Sequence, residues 1–472
     1  MTDTATLLDD EAMRRFLVDG YLVVKTNFPR SVHDGIHQQL DAQLQRHGVL
    51  GNNLLPLIRE VYQIFDDPAV RGALTGILGR GYLMHSHRYC HLNKPGTEGQ
   101  NFHQDSYAVD DLVRHHRCRW AMAFYYPQDT TIDMGPTGIL PASQYYETIE
   151  GAERRQEVPL TGEAGTVVIV HYDLWHRAMP NKSEQGRYML KFLFQRLQEP
   201  RSPSWDNEDL GWRSPAVGGV DELEAACSHL WSWNCAAVRS VNGQQQETND
   251  REDLEELMGK LRHEDEAIRL DAAYTLASYG AAAVPSLIEA LNDVPGGEDD
   301  KGNSPAAIAL AATGGSAKPA LIETLGHQDG TIRAGAAFAL GNIAAGDDAP
   351  GTVEALTRAL SDSSEWVRRN AVEALGALGH PASETVAAMG PLLTDEIEWV
   401  RDNAARALAK IGPDAAAAVP ALVASLRDEN RYIRFSAAVA LKQIDTKDAR
   451  EALYEELLNS RWCPLTTEDS AY

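Results

Sequence analysis

The sequence predicts two domains of different class: a mixed helix-and-strand domain built as a β-sandwich or jelly roll with flanking helices, then an all-α solenoid. Three observations predict this. The chain has 472 residues, and a single hydrophobic core seldom grows beyond about 250–300. Up to about residue 197, short apolar runs alternate with Gly and Pro punctuation. From about residue 251 the chain repeats itself with helical periodicity.

In the first half, Leu7 to Val18 reads as an amphipathic helix, Gly20 to Val24 as a short strand and Val32 to Gln45 as a second helix. From Gly81 the pattern turns strand-like. Tyr82 to Asn93 ends at the breaker Lys94-Pro95-Gly96, and Trp120 to Tyr126 is a compact aromatic run. Thr166 to Val170 is wholly β-branched behind Gly165, and Tyr188 to Leu197 is a further apolar stretch. Short strands punctuated in this way suit a sandwich or jelly roll. Residues 198–250 are transitional, with loop-like Arg201 to Trp205 and Val217 to Gly219. A helix candidate from Asp221 to Val238 carries Trp231 and Trp233. The polar run Asn242 to Asp250 reads as a linker. The expected division is therefore 1–240, a linker at 241–252, and a repeat domain at 253–460.

The repeat units begin on a β-branched residue followed by Arg: Ile268-Arg269, Ile332-Arg333, Val367-Arg368, Val400-Arg401 and Ile433-Arg434. The last three spacings are 35, 33 and 33 residues, and the first gap leaves room for a degenerate unit around Ser304 to Gly314. Val400, Ala404, Leu408 and Ile411 fall on one helical face, as do Val367, Ala371, Leu375, Leu378 and Ile433, Ala437, Leu441, Ile444. A second helix precedes each, with Pro in its first turn, as in Val284-Pro285 and Val419-Pro420. Paired helices at this period make an α-solenoid. The repeats resemble the short HEAT-like repeats also found in bilin-lyase-type proteins. That resemblance implies an interaction surface. The repeated arginines read as an intramolecular charge ladder.

A formal net charge of −25 repels phosphate backbones and offers no polybasic patch for anionic lipid, so neither nucleic acid nor membrane is an expected partner. Five cysteines at wide spacing, with no CxxC, argue against a disulfide framework or a structural zinc site. The acidic N-terminus lacks a signal-peptide pattern, and no apolar run of about 18 residues stands out. A reduced, cytoplasmic protein is expected.

The segment His103-Gln104-Asp105 places an imidazole and a carboxylate two residues apart, on one side of an extended strand. With His176, these make the two-His, one-carboxylate set of non-haem iron, which leaves coordination positions open. His171 is a nearby competitor for the distal ligand. Arg187, eleven residues after His176, enters the next strand, where a guanidinium can grip a carboxylate bidentately. Between them lies the turn-rich Asp133 to Ser143. His85, His87 and His91 lie on alternating strand positions, either lining a pocket or satisfied structurally. His115-His116 reads as a solvated loop.

With His103-Gln104-Asp105, Trp120, Gly135-Pro136-Thr137, Pro141-Ala142-Ser143, His176 and Arg187 in this order, residues 10–235 resemble the phytanoyl-CoA dioxygenase family. Leu230 to Trp233 looks like that family's closing segment. The resemblance implies a double-stranded β-helix with iron on His103, Asp105 and His176. It implies Arg187 on the distal carboxylate of 2-oxoglutarate, with Gln104 and Trp120 lining the co-substrate pocket. Fe(II), 2-oxoglutarate and O2 are the implied cofactors, with ascorbate as an auxiliary reductant. The implied reaction couples decarboxylation of 2-oxoglutarate to succinate with hydroxylation of an aliphatic C–H. The substrate is a small or medium organic molecule, and the repeats serve protein interaction. The alternatives are a protein or carrier-tethered substrate captured by the solenoid, and a non-catalytic scaffold. In one respect the chain departs from the family, which often has a hydroxyl residue two positions after the distal His; here that position is Ala178.

Overall fold

The computed structural model describes residues 6–106, 116–215, 223–237, 251–293, 301–343, 350–379 and 383–459. The chain falls into two compact units that divide at 221/222. The linker expected at 241–252 falls almost wholly outside the described residues, as do His115 and Cys463.

In the first unit, helix α1 (Asp10–Asp19) starts where the Asp9 side chain accepts from the Ala12 N–H and stops at Gly20 in the left-handed region. This is a capped helix at both ends. It leads directly into β1 (Tyr21–Lys25). Helices α2 (Arg30–His47) and α3 (Pro68–Leu78) follow. The remaining strands are β2 (Leu83–Asn93), β3 (Trp120–Tyr126), β4 (Thr137–Ile139), β5 (Val158–Pro159), β6 (Thr166–His171), β7 (His176–Ala178) and β8 (Arg187–Gln195). They form a five-stranded sheet in the order β1-β6-β3-β8-β2 and a three-stranded sheet β5-β4-β7. Every pairing is antiparallel. This is the jelly-roll class that the alternating runs predict. β3, β6 and β8 are central, and all but Trp120 of their residues are buried. Central strands covered on both faces lose the apolar/polar alternation of an edge strand.

The second unit is helical. It begins earlier than expected, because helix α4 (Glu224–Asn234) belongs to it. The Ala225 N–H donates to Asp271 Oδ1 at 3.4 Å, and the His229 and Tyr274 rings lie 5.1 Å apart. Leu230 to Trp233 therefore falls in the helical unit. The larger helix of each repeat follows: α5 (Glu266–Leu276), α6 (Pro305–Thr313), α7 (Gly330–Asn342), α8 (Glu365–Leu378), α9 (Glu398–Ile411) and α10 (Arg431–Ile444). The degenerate unit expected near Ser304 is α6, and Ser304 caps it. In α8, α9 and α10 the residues at offsets 0, +4 and +8 are fully buried. Small residues set the spacing between helices, since a Cβ at Gly376 would lie 2.7 Å from Ala407 Cβ. The Ala-rich run Glu398–Ser425 is by length and composition apolar enough to cross a membrane. It is broken after Ile411, where Gly412 takes a positive φ of 71° and Pro413 follows. Its two parts are successive helices within the repeat array.

Three of the five repeated arginines form a ladder, whereas Arg269 lies 3.8 Å from Glu266 of its own helix and Arg434 donates to the Asp428 and Glu429 carbonyls. Arg333 grips Asp362 with two bonds of 2.7 Å, Arg368 grips Asp395 at 2.8 and 3.0 Å, and Arg401 reaches Asp428 at 2.8 Å. Each also donates to the carbonyls five and six residues before it, as Arg368 does to Asp362 and Ser363. Each aspartate in turn accepts a backbone N–H at the start of the next large helix, as Asp395 does from Ile397. One side chain thus ties three turns together. Burial pushes the Asp362 carboxyl up, but the Arg333 and Ser364 hydrogen bonds outweigh it and hold the group below its ordinary value. Its contribution to stability is present at neutral pH and is lost as pH falls through that lowered pKa. Arg368→Ala strands the largely buried Asp395 and is expected to cost about 3 kcal/mol, read as an earlier urea midpoint by helical circular dichroism. A midpoint equal to wild type would show the ladder to be decorative.

Candidate metal centre

The centre is built on a two-residue bridge. His103 pairs antiparallel with His176. The His103 N–H donates to the His176 carbonyl at 2.9 Å, and the His176 N–H returns the bond at 3.0 Å. This brings the loop carrying His-x-Asp onto the edge of β7. The imidazole centroids lie 4.6 Å apart. His176 Nε2 lies 3.6 Å from Asp105 Oδ2. One ligating atom from each of His103, Asp105 and His176 falls within 4.8 Å of the others, and this is the one such cluster among the described residues. His171 closes β6 and is not part of it; its Nδ1 takes the Asp173 N–H at 3.2 Å.

Both imidazoles are oriented for a cation. His103 Nδ1 bonds the Asn101 carbonyl at 3.0 Å, and His176 Nδ1 bonds the Leu174 carbonyl at 2.9 Å. A backbone acceptor fixes the proton on Nδ1 and leaves Nε2 with its lone pair, the usual outer arrangement around a metal-ligating His. Burial pushes the His176 pKa down to about 4, so the ring is neutral at physiological pH. Burial pushes Asp105 up, but His176 and Lys191 outweigh it and keep the carboxylate ionised. Two imidazoles and one carboxylate are a borderline-hard donor set that suits Fe(II).

The motif between the ligand segments has a structural task. Ala142 takes a positive φ of 62°, which turns the chain so that the Ser143 hydroxyl accepts the Trp175 N–H at 3.0 Å. The Leu140 N–H donates to the Trp175 carbonyl at 3.0 Å. Pro141-Ala142-Ser143 thereby clamps the residue before His176. Gly135 does the same for Arg187. Its carbonyl accepts from Arg187 Nε and Nη2 at 3.1 and 2.7 Å and from Asn93 Nδ2 at 2.8 Å. Gly135 sits at φ 64°, where a Cβ would lie 2.5 Å from Asn93 Nδ2 and from the Met179 carbonyl.

A cavity of about 760 Å³ joins these groups, lined by His103, Asp105, Thr137, His176, Arg187 and Lys191 among others. Arg187 is 1% exposed and has no carboxylate partner among the described residues. Burial lowers its pKa, which Tyr126 partly offsets. Gln104 and Trp120, expected in the co-substrate pocket, do not line this cavity. The Gln104 amide holds the Tyr146 and Asp173 carbonyls at 3.0 and 2.5 Å. The Trp120 ring packs 5.4 Å from His85. Of the three histidines on β2, His91 reaches the cavity. Its Nε2 is buried and makes no hydrogen bond among the described residues, and burial, then Lys191, pull its pKa down to about 3.

Sequence reasoning missed Lys191. It donates to both oxygens of Asp105, at 3.0 and 2.9 Å, while 5% exposed. The available signal was a lone lysine inside the apolar run Tyr188 to Phe194, where a charge requires a buried partner. In protein stripped of metal, Lys191→Met leaves Asp105 without its lysine and is expected to cost about 3–5 kcal/mol. Saturating Fe(II) under argon supplies a replacement cation, so the difference in Tm from wild type should shrink. An equal deficit with and without metal would reduce Lys191 to packing.

Residues 16–189 match the family model described as phytanoyl-CoA dioxygenase. HEAT repeats match at 317–396, 353–419 and 386–462, and a PBS lyase HEAT-like repeat matches at 268–293. No curated protein matches. Similar solved structures include the non-haem α-ketoglutarate-dependent carbocyclase SnoK from nogalamycin biosynthesis, at 14% identity over 42% of this chain and 87% of that one, TM-score 0.36. EctD from S. alaskensis with bound Fe is similar at 16% identity, over 42% and 79%, TM-score 0.36. The non-haem monooxygenase ThoJ in a nickel complex is similar at 17% identity, over 49% and 96%, TM-score 0.33. On the strength of the family models, residues 16–189 are a phytanoyl-CoA dioxygenase family domain, and the chain continues into HEAT repeats.

Proposed function

We propose that the β-domain is an Fe(II)- and 2-oxoglutarate-dependent dioxygenase that hydroxylates an aliphatic C–H of a small or medium organic substrate, with the HEAT repeats serving protein interaction. One observation carries this reading: the His103/Asp105/His176 cluster shares a cavity with a buried arginine that has no carboxylate partner among the described residues. The cluster supplies three ligands, and Arg187 supplies a counter-charge for an organic dianion. His103, Asp105 and His176 would hold the iron. Bound there with the keto acid, it supplies the oxidising chemistry that activates O2.

The chain's own residues have three tasks in this reading. The Nδ1 contacts of His103 and His176 keep both rings aimed into the cavity. Lys191 holds the Asp105 carboxylate in place from behind. Arg187, fixed by two bonds to Gly135, orients the co-substrate through its distal carboxylate, so that its reacting end lies toward the ligand cluster. Orientation of this kind costs the guanidinium little entropy, because it is already immobilised.

The test is an anaerobic titration of Fe(II) and 2-oxoglutarate into the protein, followed through the weak visible charge-transfer band of the chelated keto acid. Wild type should develop the band. His176→Ala should abolish it, and Arg187→Ala should raise the 2-oxoglutarate Kd by about 100-fold, the loss of charge-assisted hydrogen bonds of about 3 kcal/mol. A folded wild type that binds iron but never gives the band would refute the 2-oxoglutarate assignment.

A further inference from the structure

The register of β2 and β8 sets three side-chain pairs along one wall of the cavity: Asn93 opposite Arg187, His91 opposite Met189 and Tyr89 opposite Lys191. Alternation puts residues 89, 91 and 93 on one face, and directly opposed residues share that face. All six line the cavity. His91 therefore stands between two cations, Arg187 on one side and Lys191 on the other. Burial, then Lys191, keep its ring uncharged, and its buried Nε2 makes no hydrogen bond among the described residues. The Tyr89 ring lies 4.8 Å from the His91 ring, and the Tyr89 hydroxyl also makes no hydrogen bond among the described residues. Two neighbouring polar tips without partners in a cavity wall are groups for a ligand to satisfy.

Charge specifies that ligand. At its mouth the cavity is balanced. Arg177 is held by Glu157 at 2.8 and 2.7 Å, and exposed Lys94 is matched by exposed Asp41. Inside it is not balanced. With Fe(II) and a dianionic keto acid in place, the imidazoles on the metal add no charge. The two charges of the metal, Arg187 and Lys191 then face Asp105 and the two carboxylates of the keto acid. One positive charge is left over, and it is that of Lys191, which sits on Asp105 at 3.0 and 2.9 Å. An uncompensated charge in a buried site is costly. A second occupant is therefore favoured when it brings a negative charge, and a cavity of about 760 Å³ has room for one.

We propose that the substrate is an organic acid bound as its monoanion, with its carboxylate received between the Tyr89 hydroxyl and the His91 Nε2–H, beside the Lys191 ammonium. This rests on the 2-oxoglutarate reading above. The two neutral donors fix where the negative charge sits, and Lys191 attracts it while staying on Asp105. The carbon chain extends toward Leu44 and Val49, the apolar residues that the end of α2 brings to the same cavity.

The experiment uses the full chain under argon with Fe(II) and saturating 2-oxoglutarate. The probes are n-alkanoates from acetate to octanoate, each beside its primary amide and the alkylammonium of equal length. Binding is read as a change in the charge-transfer band and as a rise in Tm. The best alkanoate should bind at least about tenfold more tightly than its amide, with the ammonium excluded, and the band should shift without bleaching. Tyr89→Phe keeps the ring and should weaken that alkanoate by about tenfold, the loss of one hydrogen bond to a charged group. It should cost the amide less and leave the Kd values of Fe(II) and 2-oxoglutarate unchanged. Lys191→Met loaded with Fe(II) should bind alkanoate and amide alike; if it fails to fold, Tyr89→Phe carries the test. An alkanoate series that binds no better than its amides overturns the proposal. So does bleaching of the band, which reports displacement of the keto acid, or a 2-oxoglutarate Kd raised by Tyr89→Phe, which makes Tyr89 a co-substrate group. A wild type that never gives the band overturns the functional reading together with this one. A wild type that gives the band and shows no preference for alkanoates overturns this one alone.

Discussion

The reciprocal backbone bridge between His103 and His176 is the constraint on which the site depends. Neither residue belongs to the five-stranded sheet. β7 is three residues long, and the segment holding His103 forms no strand beyond this bridge. Two hydrogen bonds of 2.9 and 3.0 Å therefore do what a longer ladder does elsewhere: they fix register, and with it which side chains face the cavity. A slip of one residue would turn a ligand away. Much of the nearby loop chemistry supports that short element. The Ser143 clamp on Trp175, the left-handed Ala142, and the β4 pairing all act within a few residues of His176.

The second ordering principle is charge. The chain as a whole is strongly acidic, yet its buried cavity brings together Arg187, Lys191 and three histidines around Asp105. Burying cations in an apolar sheet is costly unless each has a partner. Lys191 has Asp105. Arg187 has the carbonyl of Gly135, which satisfies donors without neutralising charge. The difference between these two solutions distinguishes a structural cation from one available to a ligand. It was decided by a glycine whose φ of 64° aims its carbonyl inward.

The fold class was readable because periodicity reports burial, and burial was uniform within each element. Trp120 to Tyr126 and the repeat helices show it clearly. That His103, Asp105 and His176 come together beside the cavity that Arg187 lines was readable from their order and spacing. Lys191 was not. Lys191 is an exception inside an apolar strand, and its meaning depends on Asp105, 86 residues away. Gln104 and Trp120 were assigned by position in a motif, and position does not say which way a side chain turns. The helix at Glu224–Asn234 was assigned by its place in the chain, whereas contacts with Asp271 and Tyr274 decide where it packs.

The two units solve the problem of holding charge in a core by different routes, and the routes follow from their architectures. In the repeats, Arg333, Arg368 and Arg401 each meet an aspartate of the next unit, and the pairs are local and alike in kind. Such a ladder consumes its own charge, so the arginines Arg333, Arg368 and Arg401 are committed to neighbour packing and not available as a recognition row. A solenoid, whose stability is a sum over adjacent units, can place these pairs anywhere along its length. The β-domain has a single centre and gathers its charges from β2, β7, β8 and the loops between them. Its cations and its one central carboxylate cannot balance pairwise, because the fold supplies more of the former. The surplus is directed at the cavity, and the cavity is where the chemistry of this domain has to be sought.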